Sequence, residues 1–194
     1  MHARRFLPVV VAASAALALG LTLPGSATAA TAASGSAVIT ESSTFFQQAA
    51  AQGVFAAPLP SATGAYSSAN GLTSTFPVTG GTGNVDQITA DLQLGGGLLI
   101  VDVKTGRAAA FTNLDFNTFL GQFTGVPVGG STPVALLDPA GDLSVGGDGT
   151  AQTLTSSELD VDPAGAAYLN AHLQTGFFAG QSVGSFAVSY TPAS

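Results

Sequence analysis

The chain has 194 residues, no cysteine, no tryptophan and a formal net charge of −7, with only 4 Lys and Arg residues in all. Disulfides and a lipid-modified cysteine are therefore excluded. Nucleic acid and anionic membrane surfaces are disfavoured as partners, because both need clustered Lys or Arg.

The first 29 residues read as a secretory signal peptide. Arg4 and Arg5 form a short positive region, and Phe6 to Leu23 is an apolar run. Pro24-Gly25 breaks that run, and Ala27-Thr28-Ala29 offers the small residues a signal peptidase needs. Cleavage there leaves residues 30–194 as one domain, long enough to bury a core without staples. Lys104 and Arg107 then stand alone against 11 acidic residues, a net charge of about −9. No later stretch is long and apolar enough for a transmembrane segment. The expected location is extracellular, either released or associated with the cell wall.

In chain order, Ser36 to Thr40 predicts a short strand. Ser42, Ser43 or Thr44 caps a helix over Phe45–Gln52, with Phe46, Ala49 and Ala50 on its packing face and Gly53 ending it. Val54 to Leu59 is extended, and Ser61 to Gly71 reads as a surface loop. Leu72, Ser74, Phe76 and Val78 alternate as a strand, and Gly80 to Asn84 reads as a turn. Ile88, Ala90, Leu92 and Leu94 alternate against polar neighbours, the pattern of a strand with one face on a core. Gly95-Gly96-Gly97 turns the chain into a strand with Leu99, Val101 and Val103 on one face and Leu98 and Ile100 on the other. Lys104 to Arg107 is a hairpin turn before a strand from Ala108 to Phe116.

Phe119 to Val126 predicts a further strand and Val134 to Leu137 a short apolar one. Asp138 to Gly149 reads as a polar loop, and Thr150 to Asp160 as a strand. Asp162 and Pro163 start a second helix reaching about Leu173, with Ala166, Leu169 and Leu173 inward and Gly176 ending it. Ser182 to Tyr190 closes the chain as a strand, with Phe186, Val188 and Tyr190 inward. Many short strands at near-regular spacing predict a mainly all-β fold: an antiparallel β-sandwich or open barrel with two short helices near the ends.

Little in this chain points to catalysis, and the expectation is a non-enzyme. His172 is the one histidine after the leader. It follows Tyr168 by four residues, so the two share a helical face. Two readings stand for the pair: a ligand-binding or acid–base site facing haem or a metal, or a flank with its polar tips in water. Asp138, Asp142 and Asp148 lack calcium-loop spacing and read as a solvated turn, so no metal site is assigned. The Gly80 and Gly95 clusters open no helix and have no following Lys-Ser/Thr, so they are turns rather than phosphate loops. A hydrolase would need His172 beside a serine, and nothing selects one. Glu41 and Glu158 are the only glutamates available for paired-carboxylate chemistry.

The words TFPVTGGTGNVD, ADLQLGGGLLI and AAAFTNLDFNT, with Asp162-Pro163, Ala166-Ala167-Tyr168-Leu169-Asn170, Phe178-Ala179-Gly180 and Val183-Gly184 later, resemble the Htaa-type domain of secreted and surface bacterial proteins. The resemblance spans most of Phe45 to Tyr190. It implies an exported β domain that binds a small apolar ligand, haem in the best-known members, or a cell-envelope component. Haem-binding members carry a Trp and a Ser-Phe-x-x-Tyr segment near the start and a His before the Gly-Gly-Leu-like turn. Here no Trp is present, Phe45-Phe46 is followed by no tyrosine, and Leu94 stands before the turn. The family's Tyr and His ligands are not carried over, so no cofactor is assigned from the motifs. Tyr168 and His172 would form a different site. A structural or protein-interaction module of the envelope and a hydrolase are the alternatives.

Overall fold

The computed structural model describes residues 31–68, 71–147 and 150–194. The proposed signal peptide and Asp148 lie outside these residues. Eleven strands and two helices follow one another in the described chain: β1 (Ser34–Glu41), α1 (Ser43–Gln52), β2 (Val54–Leu59), β3 (Thr63–Ser67), β4 (Gly71–Thr82), β5 (Asp91–Leu94), β6 (Gly97–Asp102), β7 (Arg107–Asn117), β8 (Gln122–Pro127), β9 (Val134–Gly147), β10 (Gln152–Val161), α2 (Pro163–Leu173) and β11 (Ser182–Thr191).

All pairings are antiparallel, and they close. The strand order β7-β5-β4-β1-β11-β10-β9-β8 returns to β7 through pairs such as Phe116↔Phe123, making an 8-strand barrel. Of the two architectures open from the sequence, the barrel is the one formed. Closure leaves no free edge around the wall. β5 and β6 both pair with β7 and are separated by a break at Gly95-Gly96. Beyond that break the sheet forks: β2 continues from β6, while β4 continues to β1 and carries β3.

The interior is apolar and aromatic. Phe116 and Phe186 meet edge to face at 4.6 Å, and Phe123 lies 6.3 Å from Phe186 and 5.8 Å from Phe76. Edge-to-face pairs contribute about 0.5–1.5 kcal/mol each beyond their burial. The predicted inward residues Phe76, Val78, Leu92, Leu94, Leu114, Phe116, Phe186, Val188 and Tyr190 are all buried.

Both helices start and stop as local chemistry requires. Ser42 Oγ accepts from Phe45 N at 3.1 Å, and Gly53 takes the left-handed conformation at φ 86°. Asp162 Oδ1 accepts from Ala164 N at 2.6 Å with Pro163 in the first turn. The two cations of the described chain sit at the opposite ends of these helices. Lys104 Nζ donates to Ala51 O at 2.7 Å, and Arg107 Nη1 donates to His172 O at 3.3 Å. Each positive charge thus meets a negative helix terminus.

Several sequence expectations are corrected. Ile88 is not in a strand. It lies in a turn at φ 56°, 43% exposed, closed by Thr89 N donating to Asn84 O, and the inward alternation starts only at Ala90. Gly80 to Thr82 belongs to β4 rather than to a turn. Thr63–Ser67 forms an exposed strand on β4 rather than a loop. Asp138 to Gly147 completes the 14-residue β9, which ladders along β10. Backbone pairing, helped by Ser156 and Ser157 hydroxyls of β10, sustains that outer half, because a ladder does not require apolar side chains. Phe119 stands at a turn, 79% exposed, rather than in β8. In α1 the buried side chain is Phe45, not Phe46, and α2 ends at Gln174 rather than Gly176.

Candidate functional site

α2 brings Tyr168 and His172 together as their spacing predicts. Their rings stack at 3.9 Å with an interplanar angle of 15°. Tyr168 is half-buried, and its other neighbour is the fully buried Phe111 of β7, 5.3 Å away. His172 is exposed at the last turn of α2. Its Nδ1 lies 2.8 Å from Tyr168 O. A carbonyl oxygen can only accept, so Nδ1 carries the proton. In the neutral ring Nε2 then keeps its lone pair. The backbone thereby fixes ring orientation and tautomer together, as a second partner does for a metal-binding histidine.

The helix is held against the barrel at close range by Gly165. A Cβ there would stand 2.7 Å from Leu136 O and 2.9 Å from Leu136 Cα, closer than real side chains approach. Only glycine lets α2 sit this low on β9. Beside the helix runs an open groove of about 520 Å³. It is walled by Ala108, Ala109 and Ala110 of β7, by Pro127 at the end of β8 and residues 128–132 after it, and by the Tyr168–His172 stack. Small side chains make the floor, and Arg107, adjoining Ala108, keeps further guanidinium donors after its one bond to His172 O.

Ser131 lines the same groove, yet no hydrogen bond joins it to His172 among the described residues. Of the expected polar-loop aspartates, the described pair Asp138 and Asp142 have different surroundings. Asp138 lies near Asp160 and Asp162, where burial and those two charges push its carboxyl up to about 6. Asp142 lies on exposed β9, its N–H donating to Ser157 Oγ at 2.8 Å. Among the described residues no group of three His, Cys, Asp or Glu is arranged to hold a metal ion. Asp115 and Asp91 approach across β5 and β7, and burial with a shared hydrogen bond raises Asp115 to about 7. No helix of the described residues is long and apolar enough to cross a membrane.

Leu94 and the Phe45-Phe46 segment, where the resemblance lacks its histidine and tyrosine, are accounted for structurally. Leu94 is buried in the barrel wall, 4% exposed, opposite Val78 and Leu114. Phe45 points inward from α1. Phe46 instead packs on Tyr66 at 5.2 Å, and Tyr66 stands 62% exposed on β3. Sequence reading put Tyr66 in a loop and so missed that it lies against the first helix. No periodic signal could have found it, because every residue of Thr63–Ser67 is exposed.

Against known proteins, no family model matches the sequence and no curated protein is detectably similar. In structure, the chain is similar to the C-terminal domain of HtaA from Corynebacterium glutamicum, with a TM-score of 0.57 at 10% identity. The match covers 85% of this chain and 99% of that domain. The two share one fold, the fold that the motif resemblance implied.

Proposed function

We propose that this chain is an exported, non-catalytic binding domain of the Htaa type, acting at or near the cell envelope, with its ligand seat in the groove beside α2. The observation that carries the reading is the Tyr168–His172 stack, in which a backbone carbonyl holds Nδ1–H and leaves Nε2 free. The fold likeness to the HtaA domain supports the class, and the apolar run before Ala30 supports export.

The groove fits a flat ligand that combines an apolar body, a metal and an anionic edge. Tyr168 would pack against the body, His172 Nε2 would meet the metal, and Arg107 would face the anionic edge. Haem has this chemistry: its iron takes a nitrogen ligand and its propionates pair with a cation. The residues of the groove fit it, whereas Leu94, at the family's histidine position, does not. His172 and Tyr168 have no step to perform here; they bind and orient.

Titration of the purified mature protein with haemin tests this. A red-shifted Soret band saturating near one equivalent is expected, and it should be lost in His172→Ala. An unshifted band at one equivalent overturns the reading. Loss in Tyr66→Phe with retention in His172→Ala would place the seat on the α1–β3 surface instead and overturn the α2 groove.

A further inference from the structure

A second, partly open cavity lies between the sheet and the two helices. Its origin is in β1. Ala37 and Ile39 face inward by strand alternation, and the next inward position is Glu41. The carboxyl of Glu41 therefore stands where an apolar side chain belongs. It is only 8% exposed. The one other polar side chain in the wall is Ser74 of β4, itself 5% exposed. Ile39 pairs with Ser74, so Glu41 and Ser74 are diagonal neighbours on the inner face. Neither side chain has a hydrogen-bond partner among the described residues, and both line the cavity. The remaining walls are apolar, including Ile100, Leu136 and Leu169. Phe45 of α1 and Phe177 after α2 stack at 6.2 Å as part of the same lining. Asn170 fixes Phe177 in place, accepting from its N–H at 2.9 Å and donating to its carbonyl at 2.6 Å.

An unpartnered carboxyl in such surroundings is costly in its charged form. Burial raises Glu41 to about 7. No Lys, Arg or His lines the cavity to offset it. The space is about 60 Å³. One water needs about 10–15 Å³ by the same measure and two to four polar partners. Water satisfies that condition only beside Glu41 and Ser74. The rest of the space is room for a few carbon atoms.

We propose that this cavity is a binding site for a small primary amine, its ammonium on the Glu41 carboxylate and Ser74 hydroxyl and its short alkyl tail among Ile39, Phe45, Leu169 and Phe177. The guest supplies the missing positive charge and its three N–H donors, and its tail meets the apolar wall. The site is separate from the α2 groove and stands whether or not that groove holds haem.

Two-dimensional NMR of the purified mature protein titrated with n-butylamine at about pH 8 tests it, with 1-butanol and butyrate as controls. Saturable shifts at Ile39, Ser74 and Leu169 are expected with the amine. Butanol and butyrate should bind about tenfold more weakly or worse. Glu41→Gln should weaken amine binding by about tenfold or more while leaving butanol unchanged. Ser74→Ala should weaken amine binding less, and it keeps the test open if the Glu41 variant folds poorly. Absence of saturable shifts, equal binding of butanol, or undiminished amine binding in both variants overturns the proposal and leaves the cavity to water.

Discussion

Tyr190 shows how far a single atom can depart from the rule that buried polar groups find partners. The residue is fully buried at the inner face of β11, and its hydroxyl has no hydrogen bond. An unsatisfied buried hydroxyl costs about 1–3 kcal/mol. Tyr190→Phe is therefore expected to leave stability unchanged or raise it by up to that amount, read as the midpoint of urea unfolding. A clear drop in the midpoint would mean that the hydroxyl is satisfied. At this scale the sequence was partly legible. The i,i+4 spacing announced the Tyr168–His172 pair, because a helix with firm caps fixes which residues meet. Glu41 was missed because the first strand was ended at Thr40. One more step of the Ala37, Ile39 alternation would have placed a carboxyl inside the barrel.

Helix α2 is the element on which the groove depends. Gly165 decides its height above β9. Alanine at 165 would gain about 1 kcal/mol of helix propensity, but its Cβ would meet Leu136 backbone at 2.7 Å, where no flexible side-chain end can give way. Overpacking of this kind costs about 1–3 kcal/mol. Gly165→Ala is expected to lower stability by about 1–2 kcal/mol net and to weaken haemin binding, since Tyr168 and His172 ride on the displaced helix. An increase in unfolding midpoint would show that the contact is not tight. The helices were readable in advance because Ser42, Gly53, Asp162 and Pro163 act locally. The outer half of β9 was not, because Asp142 and its neighbours are held by backbone pairing and serine hydroxyls of β10 rather than by apolar alternation. Nor was the turn at Ile88, which owes its shape to a distant partner. Gln152 of β10 reaches back to it, accepting from Val85 N at 2.6 Å and donating to Asn84 Oδ1 at 3.1 Å. An apolar residue in a run of alternation carries no mark of such a long-range plug.

Across the described molecule, one buried carboxyl and two half-buried ones set an unusual response to acid. Glu41 is raised from 4.5 to about 7 by burial, Asp115 from 3.8 to about 7 by burial and Asp91, and Asp138 from 3.8 to about 6 by burial, Asp162 and Asp160. Between the ordinary and raised values the folded state holds protons that the unfolded state has released. Stability then falls as pH rises across that window and levels off above it. Asp102 acts oppositely but only below its ordinary 3.8, because hydrogen bonds from Thr105 and Lys104 outweigh its desolvation. Urea unfolding is expected to give a higher midpoint at about pH 5 than at about pH 8, and Glu41→Gln should flatten part of the difference. A higher midpoint at the alkaline end would contradict this. Barrel closure itself was beyond the sequence. Many inward faces follow from alternation, whereas the β7–β8 pairing that seals the wall is a matter of register between strands.

The pairing of β1 with β11 has a consequence for how the protein is made. The register runs from Ser34↔Thr191 to Glu41↔Gly184, so the first described strand waits for the last before the wall is sealed. A chain synthesised from its amino end cannot complete this seam until β11 has been delivered. Until then β1 has only β4 as a partner in the wall. Such long-range pairing makes folding slow, in the millisecond-to-second range typical of β topologies. A nascent chain of this kind stays open until its last strand is available, and only then does the barrel lock.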